Sequence, residues 1–197
     1  MTIVQHSEKE RFSYADYLTW KDDQRWELIN GQPLLMSPAP SRFHQTISRR
    51  VEYQIEHYLQ DKSCEVFDSP FDVRLEAAGI SDKNAFHVVQ PDLLVVCDPS
   101  KLDDHGCLGA PDWIIEIISP STASHDHIVK RAIYEQFGVK EYWIIQPADQ
   151  IVMVYRLNAE GCYGKPDVHS ESDIIPVGIF PELQIDLKRV FKRTEEI

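Results

Sequence analysis

Two stretches of this chain, Val88–Val96 and Trp113–Ile118, are apolar enough to be central strands covered on both faces, and nothing constrains the fold more. A strand without a polar face needs layers packed above and below it, as when helices flank a sheet. Ile47, Val51, Ile55 and Leu59 recur every four residues and draw one apolar stripe along a long helix, starting at Ser41 and ending near Asp61. Ser124 to Phe137 carries a second helical pattern, with Ile128, Ala132 and Ile133 as its apolar face and Gly138 as its C-terminal stop. Shorter strand patterns stand at Cys64–Phe67, Phe71–Leu75, Lys140–Gln146 and Ile151–Leu157, with a polar loop over Ala77–Asn84. Near the N-terminus, Ser13 followed by Asp16 marks the start of a short helix. Asn30-Gly31 accepts the positive φ angles of a two-residue hairpin turn between Arg25–Ile29 and Gln32–Met36.

The length of 197 residues suits one domain, with a core over about residues 12–157 and a C-terminal extension over 158–197 made of short strands and a terminal helix. No apolar run approaches the roughly 18 residues of a membrane helix, and Met1 to Glu10 is polar, so a soluble cytoplasmic protein is expected. Cys64, Cys97, Cys107 and Cys162 form no CxxC pair, which argues against a zinc ribbon and for reduced thiols. The net charge of −12 opposes generic nucleic-acid binding, because phosphate affinity normally comes from clustered Lys and Arg. A metal site nevertheless concentrates carboxylates, and a bound divalent ion reverses the local field. Basic clusters stand at Arg42, Arg49 and Arg50 and at Lys188, Arg189, Lys192 and Arg193, where solvated helix faces explain them equally well.

Chemistry enters with Glu116, which interrupts the apolar run Trp113-Ile114-Ile115-Glu116-Ile117-Ile118. An unpaired buried carboxylate is costly, so Glu116 needs a cation. Asp92 stands similarly at the head of Leu93-Leu94-Val95-Val96, directly after Pro91. Two acids on strands that could be neighbours suggest a shared, oxygen-ligated divalent ion, Mg²⁺ or Mn²⁺. The plainer alternatives are an Asp that caps a strand and a Glu that pairs with a Lys or Arg. His125-Asp126-His127 does not make a zinc site, because an i,i+2 pair cannot face one ion from a regular helix.

An ordered set of motifs runs through the chain: Trp26-Glu27-Leu28-Ile29-Asn30-Gly31, Met36-Ser37-Pro38, His44, Pro91-Asp92, Gly109-Ala110-Pro111-Asp112, Glu116 to Thr122, Lys130, Tyr134 and Gly138 to Trp143. The set closely resembles the Uma-type family of putative restriction endonucleases, long catalogued as a domain of unknown function and part of the PD-(D/E)XK nuclease superfamily. The resemblance spans roughly Phe12 to Arg156. It implies an α/β (α+β) restriction-endonuclease-like core: a mixed central β-sheet flanked by helices, with an N-terminal helix and hairpin. It also implies a Mg²⁺-dependent endonuclease that hydrolyses DNA phosphodiester bonds. Asp92 and Glu116 match the metal-holding acids, the carbonyl of Ile117 assists them, and Glu27 matches an acid from the N-terminal hairpin. A homodimer would let two copies cut two strands.

The superfamily lysine would stand two positions after the Glu, where this chain has Ile118. Relatives carry that lysine on the following helix, and Lys130 matches the migrated position. Its alternative is an i,i+4 salt bridge with Asp126 on an exposed helix face, worth about 0.3–0.5 kcal/mol. Glu27 has the alternative of a surface strand residue. His44 either touches substrate or satisfies a buried hydrogen bond, the second being preferred. Ile118 and the acidic surface also leave room for a non-catalytic scaffold that keeps the fold, and the charge for a hydrolase of small phosphoesters.

Overall fold

A computed structural model describes residues 10–36, 40–77, 79–120 and 122–192. Residues 1–9 of the polar N-terminal stretch, Ser37-Pro38 and Ser121 of the motifs, and Arg193 of the basic cluster lie outside the described residues. Ser13 caps a one-turn helix α1 (Tyr14–Tyr17) through a reciprocal capping box with Asp16. Strands β1 (Trp26–Ile29) and β2 (Gln32–Leu35) pair antiparallel across Asn30 and Gly31, whose φ angles of 52° and 75° are those of the expected turn. Ser41 caps α2 (Arg42–Leu59), which buries Ile47, Val51, Ile55 and Leu59.

Seven short strands follow: β3 (Glu65–Asp68), β4 (Val73–Arg74), β5 (Val88–Val89), β6 (Leu93–Val96), β7 (Leu102–Asp103), β8 (Gly106–Leu108) and β9 (Trp113–Ile117). One six-residue turn of π-helix, His125–Lys130, runs into α3 (Arg131–Phe137), which stops at Gly138 in the left-handed conformation. Then come β10 (Glu141–Gln146), β11 (Ile151–Arg156), β12 (Asp167–Ser170), β13 (Ile174–Val177), β14 (Phe180–Asp186) and α4 (Leu187–Phe191).

The central sheet has the order β12-β11-β10-β9-β6-β3 and is mixed: β9 and β10 run parallel, the other neighbours antiparallel. Strand β9 is buried along its whole length, as its composition demands. One face of the sheet carries Trp113, Ile115 and Ile117 against α2, with Ile175, Ile185 and Val190 from the C-terminal segment completing that core. The other face carries Ile114, Tyr142 and Ile144 against Tyr134 of α3 and against a second sheet of order β2-β1-β5-β4-β8-β7. The α+β class and the mixed sheet expected from the sequence are present, and the N-terminal hairpin forms the edge of the second sheet.

Three expectations are corrected. Val88–Val96 is not one strand: β5 pairs with β1 and β4 in the second sheet, and β6 pairs with β3 and β9 in the central one. Pro91 explains the break, since it has no N–H for a ladder, and the bend it forces carries the chain between the sheets. The helix over Ser124–Phe137 buries only part of the predicted face, for Ile133 is buried but Ile128 is 66% exposed, while Asp126 and Lys130 are buried instead. The π-turn adds a residue to one turn and so rotates the stripe away from the α-helical phase. Finally, Cys64 and Cys97 are joined by a disulfide rather than left as thiols. They flank the register pair Glu65↔Val96, a neighbourhood that a separation of 33 residues conceals. Loop closure of that size is worth about 3–4 kcal/mol. Adding reductant should therefore lower the melting temperature measurably, and equal melts with and without it would show that the bridge adds nothing.

Candidate active site

The two-sheet arrangement brings four acids to one groove. Glu116 comes from β9 and Glu27 from β1, Asp92 precedes β6, and Asp126 lies in the π-turn. Glu27, Glu116 and Asp126 are each only 4% exposed, and Lys130, 5% exposed, sits among them. The Lys130 Nζ lies 2.9 Å from Glu116 Oε1, 2.9 Å from Glu27 Oε1 and 3.7 Å from Asp126 Oδ1. The exposed-face reading of Asp126 and Lys130 is thereby overturned, and so is the surface reading of Glu27.

Glu116, Glu27 and Asp92 are held by other donors as well. Tyr134 donates its hydroxyl to Glu116 Oε1 at 2.7 Å. The amide of Gln90, at the bend before Pro91, donates to Glu27 Oε1 at 3.1 Å. Asp92 Oδ2 accepts the Ile117 amide at 2.7 Å and lies 3.3 Å from His44 Nε2. His44, on the first turns of α2, makes this contact and also lines the groove, and its Nδ1 has no hydrogen-bond partner among the described residues. Ile118, in the position of the missing lysine, lies on the groove wall and packs against the core. The motif acid Asp112 stands apart, accepting the Cys97 amide at 2.8 Å and the Lys140 ammonium at 2.6 Å.

One ammonium among so many carboxylates leaves a negative field, and the proton affinities of Glu116, Asp126, Lys130 and His44 rise. Burial, reinforced by Asp126, Asp92 and Glu27 against the opposing Lys130, pushes Glu116 up to about 8. Burial likewise raises Asp126 despite Lys130. Lys130 itself would be lowered by burial, but Glu116, Glu27 and Asp126 outweigh that and hold it well above the usual lysine value. For His44, burial acts downward, and the hydrogen bond and charge of Asp92 overcome it to leave the imidazole raised.

The raised Glu116 has a consequence for stability. Its contribution is complete below its ordinary value of 4.5 and is lost as the pH climbs through about 8. Apo-protein melting temperature should decline across that window relative to a Glu116→Gln variant, and parallel profiles for the two proteins would contradict the assignment.

Sequence reasoning missed the burial of Asp126 and assigned no role to Tyr134 or Gln90. A signal existed for the first two, since Asp126, Lys130 and Tyr134 stand four residues apart in a row that breaks the apolar pattern around it. No comparable pattern marks Gln90.

The family model described as "Putative restriction endonuclease", Uma2, matches residues 14–188. The chain belongs to that family. The Uma2 match spans both sheets and includes Glu27, Asp92, Glu116 and Lys130. An uncharacterized protein of Synechocystis sp. is 26% identical over 165 residues, covering 81% of this chain and 83% of its own length. The crystal structure of a protein from Anabaena variabilis, titled a "putative nuclease" of a domain family of unknown function, matches with a TM-score of 0.72 and 21% identity. That match covers 92% of this chain and 98% of the other, so the two share a fold. Among the described residues no helix is long and apolar enough to cross a membrane.

Proposed function

We propose that this Uma2-family chain is a Mg²⁺-dependent endonuclease that hydrolyses DNA phosphodiester bonds. The convergence of Glu27, Asp92, Glu116 and Lys130 on one groove, from four separate places in the sequence, carries that reading. The groove, of about 1220 Å³, exceeds the roughly 300–1,000 Å³ typical of small-molecule sites, which favours a polymeric substrate.

The chemistry of the donors suits a hard divalent cation, although no three of them are already drawn round one point among the described residues. Four carboxylates face one lysine, and Glu27, Asp92 and Glu116 each keep one oxygen that accepts no hydrogen bond among the described residues. Glu27, Asp92, Glu116 and the Ile117 carbonyl would hold Mg²⁺, with Mn²⁺ as the alternative. When bound, the ion supplies Lewis-acid polarisation of a phosphoryl oxygen, a water of lowered pKa and stabilisation of the departing oxyanion. Lys130 spends two of its three donors on Glu116 and Glu27 and keeps one for the attacking water or for transition-state charge. Its arrival from the π-turn supplies the ammonium that Ile118 cannot. Arg25 and Arg49 on the groove wall would meet phosphates. Such a protein would meet its DNA in the cytoplasm, and two copies would serve to cut both strands.

A second reading, a hydrolase of small phosphoesters, draws support from Glu52, Asp68 and Asp149 elsewhere along the groove, because a short ligand needs no long basic track. Incubation with duplex DNA, single-stranded DNA and free nucleotides decides between the readings. Cleavage of DNA is expected with Mg²⁺ or Mn²⁺ and little with Ca²⁺, whose looser shell positions water poorly. Undiminished activity in excess chelator would defeat the metal-dependent mechanism. Turnover of nucleotides alone would favour the second reading, and no Mg²⁺ binding together with no cleavage would favour a scaffold.

A further inference from the structure

Tyr134 is fully buried and donates at 2.7 Å to Glu116 Oε1, the same oxygen that accepts the Lys130 ammonium at 2.9 Å. Those two donors occupy Oε1 and leave Oε2 as the carboxylate oxygen without a hydrogen bond among the described residues. A carboxylate with one such anchor turns freely about its last torsion, whereas two donors on one oxygen fix the direction of the other.

The tyrosine is itself held. Its ring meets that of Tyr142 edge-on, with centroids 4.9 Å apart, and the Tyr142 hydroxyl donates at 3.1 Å to the Asp126 carbonyl in the π-turn. Tyr134 follows Lys130 by four residues, so one buried helical face delivers the ammonium and the phenol to one carboxylate on β9. A change in the seating of that face would move both donors together.

We propose that Tyr134 is a positioning residue that aims the free oxygen of Glu116 at the bound cation and keeps Lys130 in register with it, an inference resting on the Mg²⁺ site proposed above. Groups that orient ligands in this way typically govern metal affinity or activity by about 10–100-fold. Tyr163 provides an internal control: its buried hydroxyl donates at 2.7 Å to the Val139 carbonyl, in the same aromatic cluster but away from the acids.

The experiment compares the parent, Tyr134→Phe and Tyr163→Phe by Mg²⁺ titration of the thermal melt and by DNA cleavage kinetics. The phenylalanines keep the ring packing, so both variants should fold, with melting temperatures slightly below the parent's in chelator. Tyr134→Phe should shift the Mg²⁺ midpoint upward by about 10–100-fold and lower kcat while leaving KM for DNA unchanged. Tyr163→Phe should keep the parent's midpoint and kcat. A Tyr134→Phe midpoint within twofold of the parent's, or equal shifts in both variants, would overturn the positioning role while leaving the metal site standing. A parent whose melt does not respond to Mg²⁺ would overturn the metal site and the positioning role together.

Discussion

Replacement of Lys130 by methionine is expected to cost the apo protein about 3–5 kcal/mol, the usual penalty for removing one partner of a buried charge network. The physical reason is the environment of Nζ, which lies 2.9 Å from both Glu27 and Glu116, with Asp126 at 3.7 Å. Without the ammonium these buried acids face one another with no cation. They must then take up protons or open the groove to water. Mg²⁺ should relieve the same repulsion, so it should raise the melting temperature of the variant by more than that of the parent. DNA cleavage should nevertheless stay low, by about 10²–10³-fold, because a cation that only neutralises the acids does not supply the lost donor. Thermal melts with Mg²⁺ and with chelator, together with single-turnover kinetics, check each part. A loss of no more than about 0.5 kcal/mol with unchanged turnover would match an exposed i,i+4 pair instead, and Lys130 would lose its place in the mechanism.

Glu116→Gln should do the opposite in the absence of metal. Lys130 keeps Glu27 at 2.9 Å and Asp126 at 3.7 Å, so no cation is stranded. The substitution also resembles the protonated acid that the apo site favours, since burial and the neighbouring carboxylates push Glu116 up to about 8. Apo stability at neutral pH is therefore expected to be unchanged or higher, as when a charge retained for function is removed. Metal reverses the ranking. Mg²⁺ at 100 times its Kd should stabilise the parent by about 2.7 kcal/mol. For a domain of this size that is a rise of roughly 5–11 °C. The rise should shrink or vanish in the variant, with cleavage lost alongside it. A large loss of apo stability in Glu116→Gln, combined with no Mg²⁺ response in the parent, would make Glu116 a purely structural anion.

Those contrasting outcomes depend on geometry that was only partly legible in the chain. Local features could be read directly. Asn30 and Gly31 adopt positive φ because few other dipeptides do so at low cost, and the hairpin register follows from that turn. The stripe of Ile47, Val51, Ile55 and Leu59 needs only the helical repeat to place four side chains on one face. Glu116 was conspicuous because a carboxylate inside a wholly buried strand needs a partner whatever the fold.

The sequence alone determined that hairpin, the long helix, the buried strand and its demand for a cation, since each rests on contacts within a few residues or on the cost of burying charge. Tertiary structure decided who answers the demand. The bend at Pro91 divides one apolar run between two sheets and sets the Gln90 amide on Glu27. The π-turn carries Asp126 and Lys130 inward and leaves Ile128 outside. Sheet register brings Cys64 beside Cys97. Pro91 and the row of Asp126, Lys130 and Tyr134 mark a bend and a polar helical face without saying what either packs against, and a pairing across 33 residues leaves no local mark at all, because partners are chosen only when the surrounding layers pack.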